Sequence, residues 1–229
     1  MALALVAGVA ACLAAALGLP DATTVASDAQ LDAVTELTCD GQTAQEPIRS
    51  LAGIERLSAL DELDAPRNEI GDLAPLASWP RLGTLFDLGL SQNPVSDLTP
   101  LAGMMTLDAL GVAAAQVTDI SALAGHDSLR TLNLSTNAIT DASPLAGLPN
   151  LDTLDLSYNR IVDPAPLGTI PTLLILDVFG NQISGVDGLA DAPLLQQLQL
   201  GMNPLTDLTP LLRVARWSTW GGTRRTRPG

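Results

Sequence analysis

Asn137, Asn159, Asn181 and Asn203 lie 22 residues apart, and each closes the same phrase, as in Leu129-Arg-Thr-Leu132-Asn-Leu134-Ser-Thr-Asn137. A fixed period of this length describes a stack of equivalent turns, each burying its apolar face only against its neighbours. Function in such a chain is therefore sought on an extended surface rather than in an enclosed pocket.

The phrase recurs as Leu151, Leu154, Leu156, Asn159, then as Leu173, Leu176, Val178, Asn181, and again as Leu195, Leu198, Leu200, Asn203. Toward the N-terminus, Leu107, Leu110, Val112 and Ala115 keep the spacing without the asparagine. Leu85, Leu88, Leu90 and Asn93 restore it, and Leu60, Leu63, Ala65 and Asn68 fit one turn earlier. Asn68 to Asn93 is 25 residues, an insertion of three that falls near Trp79. The array runs from about Ile48 to Leu212.

The Leu-x-Leu alternation specifies a short half-buried strand with side chains pointing in and out at period two. An asparagine carries two donors and an acceptor. Buried at the strand's end, it can satisfy backbone groups that the sheet no longer pairs. The six asparagines Asn68, Asn93, Asn137, Asn159, Asn181 and Asn203 therefore read as a structural ladder. Four residues after the ladder position comes an aspartate, at Asp72, Asp97, Asp119, Asp141, Asp163 and Asp207, often followed by proline. That pairing reads as a cap and a short helical or 3₁₀ start. Gly185 interrupts the column.

These residues resemble the leucine-rich repeat family, in the 22-residue subtype found in bacterial internalins and in phosphatase-regulating repeat proteins. The resemblance covers most of the chain. It implies a right-handed solenoid of α/β class, with a concave parallel sheet, short helical or 3₁₀ turns on the convex side, and a role in binding other proteins. Three parts are expected: residues 1–47 as a leader or helical cap with a first irregular strand, 48–212 as the array, and 213–229 as a C-terminal cap or aberrant tail.

Composition agrees with a core of aliphatic residues, since 47% of the chain is hydrophobic but only 3% aromatic. The formal net charge is -14, from 25 acidic against 11 basic residues, which disfavours nucleic acid and anionic membranes and favours a basic or mixed partner. The aspartate column reads as capping rather than calcium binding, because calcium needs several oxygens converging on one point. No Gly-rich phosphate loop and no Cys or His pair at metal spacing is present, so neither a cofactor nor a catalytic centre is expected. The single histidine, His126, sits in the bend Ala124-Gly-His126-Asp127-Ser128 and reads as a solvent-exposed loop residue. Adjacent residues on one turn cannot converge on a substrate atom as a relay.

The N-terminal 19 residues carry no charge. They read either as a secretory leader, with Val9-Ala10-Ala11-Cys12 resembling a lipoprotein cleavage box that would anchor a lipid at Cys12, or as a capping helix. Cys39 reads as a buried structural thiol at an inward position of the first strand; pairing with Cys12 is possible. A leader would place the protein in the cell envelope or outside the cell, and its absence would leave it cytoplasmic. At the other end, Trp217 and Trp220 fall where they could plug the last turn, amid Arg213, Arg216, Arg224, Arg225 and Arg227.

Counting outward positions along each strand, the concave face displays small or acidic residues in its first half. Its second half gathers Tyr158, Ile175, Phe179 and Met202, flanked by Asp155 and Asp177. With strands about 4.8 Å apart these form the expected protein-binding patch, against the plainer reading of scattered surface apolar residues. A non-catalytic protein-binding scaffold is the expectation. The alternatives are an intracellular regulatory subunit docking on an enzyme such as a phosphatase, or a spacer within a larger surface protein.

Overall fold

A computed structural model describes residues 7–21, 23, 26–43, 46–77 and 85–213. Eight three-residue strands form one parallel sheet in strict sequence order. They are β1 (Glu36–Thr38), β2 (Glu62–Asp64), β3 (Asp87–Gly89), β4 (Ala109–Gly111), β5 (Thr131–Asn133), β6 (Thr153–Asp155), β7 (Ile175–Asp177) and β8 (Gln197–Gln199). The middle residue of each is the inward leucine, and Leu63, Leu88, Leu110, Leu132, Leu154, Leu176 and Leu198 pair in unbroken register. The chain is thus a right-handed leucine-rich repeat solenoid with its sheet on the concave side.

The core is one continuous column of Leu, Ile and Val running from α1 (Ala7–Ala16) to Leu211. Each turn supplies several inward residues, as Leu151, Leu154, Leu156, Ile161 and Leu167 do in one turn, all essentially inaccessible to solvent. Burying such a side chain stabilises by about 2 kcal/mol, and because every one touches the turns above and below, no turn is stable alone.

The asparagines do what their chemistry requires. The Asn159 amide nitrogen donates to Leu156 O at 3.0 Å in its own turn and to Leu134 O at 2.9 Å in the preceding one, while Oδ1 accepts from Ile139 N at 3.0 Å. The same three bonds recur at Asn93, Asn137, Asn181 and Asn203. Asn68 repeats the set, with Cys39 O as the carbonyl of the preceding turn. A bend sharp enough to receive this amide puts the preceding residue at positive φ. Arg67, Gln92, Ala114, Thr136, Tyr158 and Met202 all lie between 51° and 59°, with Gly180 at 68°. Outside glycine that conformation costs about 1 kcal/mol, which the ladder bonds offset at each of these positions but Ala114, where no side-chain amide follows.

Ala115 leaves one rung empty, and the bonding pattern explains why the fold tolerates it. A carbonyl with rungs on both sides takes bonds from two asparagines, as Leu134 O does from Asn137 and Asn159. Without a side-chain amide at 115, Leu90 O still accepts from Asn93 and Val112 O from Asn137.

On the convex side the short turns are mostly 3₁₀, with one α-helical turn, α3 (Ala74–Ala77). All six aspartates accept the amide two residues on, for example Thr99 N to Asp97 at 2.8 Å and Ser143 N to Asp141 at 2.8 Å. The aspartate therefore stands one residue before the cap position and holds the first helical amide. Gly185 supplies no such carboxylate to the 3₁₀ turn that follows it, Gly188–Asp191.

At the N-terminal end α1 packs on β1, burying Val9 and Leu13, and Cys12 is bonded to Cys39 across a separation of 27 residues. This corrects two expectations. Cys39 is buried but is not a free thiol, and the Cys12 sulfur is engaged in a disulfide, which removes it as a lipid anchor. A second short helix, α2 (Asp28–Leu31), starts from a capping box in which Ser27 and Gln30 bond each other's backbone amides. Among the described residues no helix is long and apolar enough to cross a membrane. The insertion near Trp79 and the tryptophans and arginines beyond residue 213 lie outside the described residues.

Three stability outcomes are expected, two from the ladder and one from the disulfide. Ala115→Asn should raise the unfolding free energy by about 1 kcal/mol, because the new Oδ1 meets Val95 N as other rungs meet its equivalents, whereas Asn159→Ala should lower it by about 2 kcal/mol. Urea denaturation measures both, and a destabilised Ala115→Asn variant would contradict the ladder account. Reducing the disulfide should cost about 3 kcal/mol from regained unfolded-chain entropy. An unchanged denaturation midpoint in dithiothreitol would show the cap to be held by packing alone.

Candidate protein-binding face

The outward residues of the strands fall into straight columns, because the sheet is in register. The first strand column runs Glu36, Glu62, Asp87, Ala109, Thr131, Thr153, Ile175, Gln197. The second runs Thr38, Asp64, Gly89, Gly111, Asn133, Asp155, Asp177, Gln199. Beyond it lies the bend, where Tyr158, Gly180 and Met202 share the positive-φ column.

The C-terminal half holds an aromatic pair. Tyr158 and Phe179 meet edge to face with centroids 5.3 Å apart and planes at 60°. Glycines in the next turns make room for both rings. A Cβ on Gly180 would lie 3.0 Å from the Tyr158 ring, and one on Gly201 would lie 2.7 Å from the Phe179 ring. Each ring is thus laid against the backbone of the turn that follows it. Tyr158 remains 54% exposed and Met202 72%, whereas Phe179 is half-buried. Ile175 opens β7 two alternations before Phe179, with Asp177 between them, so it flanks the pair along the strand.

Asp155 and Asp177 have a local task. Asp155 accepts Ser157 N and Asp177 accepts Phe179 N, each at 2.9 Å, and Asn133 treats Ser135 N in the same way. The Asp177 carboxyl bond therefore sets the backbone that carries Phe179. Burial pushes Asp177 above the ordinary carboxylate value, Asp155 adds to the rise, and the Phe179 amide opposes it.

The N-terminal half is acidic. Burial raises Glu62, and the like charges of Asp87, Glu36, Asp64 and Asp61 raise it further. Asp64 and Asp87 are raised chiefly by burial as well. Asp40 is the exception, drawn down to about 2 by its hydrogen bonds with Arg67.

Another outward column escaped the count along the strands. Asp61, Phe86, Asp108, Arg130, Asp152, Leu174 and Gln196 stand just before β2 to β8, and each backbone amide after the first bonds the carbonyl of its predecessor, as Phe86 N does Asp61 O at 2.7 Å. It places Phe86, 55% exposed, between Asp61 and Asp108. The residue after the first leucine of every phrase marks this column, so the signal was present in the spacing.

His126 corrects the remaining expectation. It is fully buried, not exposed, because its bend position belongs to the inward column shared with Met104 and Leu148. Nε2 lies 3.1 Å from Leu101 O, and Nδ1 meets no polar partner among the described residues. Among the described residues no group of three or more His, Cys, Asp and Glu side chains is arranged to hold a metal.

The raised and lowered carboxyls have opposite consequences for stability. Glu62, Asp64, Asp87 and Asp177 have raised values in the fold, so their contribution grows as pH falls through those values and is lost as pH rises. Asp97, Asp119, Asp141 and Asp207 are lowered by the amides they hold, and Asp40 by Arg67, so their contribution is present above ordinary carboxylate values and lost as pH falls. Thermal stability should therefore peak close to the ordinary carboxylate values, at about pH 4, and decline both toward neutral pH and in stronger acid. A steady fall from pH 7.5 downward in calorimetry would contradict this assignment.

Models of the leucine-rich repeat match residues 127–169, as two copies, and 169–190. Comparison with curated proteins gives no match. Among solved structures, internalin C2 of Listeria monocytogenes is similar with a TM-score of 0.81 and 31% identity, covering 92% of this chain and 90% of that one. Internalin F of the same organism gives a TM-score of 0.86 at 29% identity over 92% of this chain, which spans 60% of the internalin F chain. A leucine-rich repeat protein of Leptospira interrogans shares the fold, with a TM-score of 0.70 at 24% identity, over 81% of this chain and 47% of that one. Unbroken register, the asparagine ladder and a near full-length match to internalin C2 together show that the chain belongs to the internalin-like leucine-rich repeat family.

Proposed function

We propose that this protein is a non-catalytic scaffold that captures a protein partner on its concave sheet, with Tyr158, Phe179, Met202 and Ile175 as the apolar contact and Asp155 and Asp177 at its flanks. The observation that carries the reading is the pre-set aromatic pair. Two rings locked against glycine backbone on an outward sheet contribute nothing to the core column, and they offer a partner large apolar area at low ordering cost. Leucine-rich repeat folds are typically protein-binding, and this chain's curvature and register suit that use.

Residues 1–47 serve in this reading as an N-terminal cap stapled to β1, and 48–212 as the presenting array. The disulfide favours an oxidising compartment, and with the internalin likeness it supports a cell-surface or secreted location over an intracellular regulatory subunit.

Immobilised protein should recover a specific partner from surface extracts of its native cells, and the double substitution Tyr158→Ala with Phe179→Ala should abolish recovery while shifting the thermal midpoint little. Undiminished recovery by the double variant would remove the aromatic pair from the binding site.

A further inference from the structure

We infer that the concave face is a two-point dock: the same partner also places a cationic, arginine-bearing segment over Phe86 at the acidic N-terminal half. This deepens the reading above and rests on it. Phe86 is a large apolar side chain that the aliphatic core leaves outside, 55% exposed at the mouth of β3. In-register pairing sets Glu62 and Asp87 side by side in the adjoining column, and the backbone ladder sets Asp61 and Asp108 on either side of the ring. Among the described residues Arg130, 3.3 Å from Asp108, is the cation at this group, and it sits at one edge.

An aromatic face among carboxylates complements a guanidinium in two ways. The ring quadrupole attracts the cation, and the planar fork of donors matches a carboxylate. The paired register crowds these carboxylates, and Glu62, raised first by burial, is raised further by Asp87, Glu36, Asp64 and Asp61, so a cationic guest relieves repulsion that the free protein carries. The Asp64 carboxylate lies over Gly89 and extends the acidic end, and the small residues Ala109 and Gly111 separate that end from the aromatic pair. From Phe86 to Ile175, the near edge of the apolar patch, the span is four strand spacings, about 19 Å, which about six extended residues cover. The partner is thus a protein segment with a basic end and an apolar end at that separation.

The test uses the intact chain and three fluorescein-labelled peptides: Arg-Arg-Arg, Leu-Trp-Leu-Trp, and both joined by a six-residue Gly-Ser spacer. Anisotropy titrations run at low and high sodium chloride. The joined peptide should bind at least about tenfold tighter than either half, through the effective concentration the spacer provides. Phe86→Leu combined with Glu62→Gln and Asp87→Asn should remove that gain and flatten the salt dependence, with circular dichroism unchanged. Neutralising Asp187 and Asp191 on the convex side as Asn should leave both intact.

A joined peptide no tighter than Leu-Trp-Leu-Trp alone would overturn the N-terminal contact while sparing the aromatic one. Equal weakening by the convex control would overturn it too, by reducing the effect to net charge. Loss of the Leu-Trp-Leu-Trp interaction itself, with Arg-Arg-Arg still bound at Phe86, would instead sink the aromatic reading of the concave face.

Discussion

Every turn of this protein must bend at the same place, and a bend in a buried chain strips two carbonyls and an amide of their sheet partners. The asparagine side chain restores all three, reaching into its own turn and the one before, as Asn159 does with Leu156, Leu134 and Ile139. Buried backbone groups left unpaired cost about 1–3 kcal/mol each, so the ladder is what allows a solenoid with three-residue strands to stay closed. Register follows from it, and from register come the straight outward columns on which any binding reading depends.

Much of the architecture was legible because it is written in spacing. The 22-residue period gave the strands, the ladder and the capping aspartates, and even the empty rung at Ala115 was visible. What spacing could not supply was the third dimension of single side chains. His126 looked exposed because it is polar and lies in a Gly-Asp-Ser bend, but position in the repeat, not polarity, decides burial, and its place belongs to Met104 and Leu148. Cys12 and Cys39 could not be joined by counting, since a pairing depends on how α1 folds back onto β1.

The candidate site was partly readable for the same reason. Outward parity located Tyr158, Phe179 and Met202, but nothing in the sequence showed the rings lying over Gly180 and Gly201, which turns flexible side chains into a fixed surface. Asp155 and Asp177 were read as flanking charges. They are also turn-formers that hold the backbone beneath the aromatic pair, so changing them would disturb geometry as well as charge. Phe86 was overlooked because the count began one residue too late.

The vacancy at Ala115 falls between Phe86 and Tyr158. There the turns are tied by strand pairing, by the shared core and by Ala113 N donating to Ser91 Oγ at 3.2 Å. The joint between the acidic and aromatic ends thus keeps its register without a side-chain amide, so the spacing of the two ends is set by backbone and core rather than by an unbroken ladder.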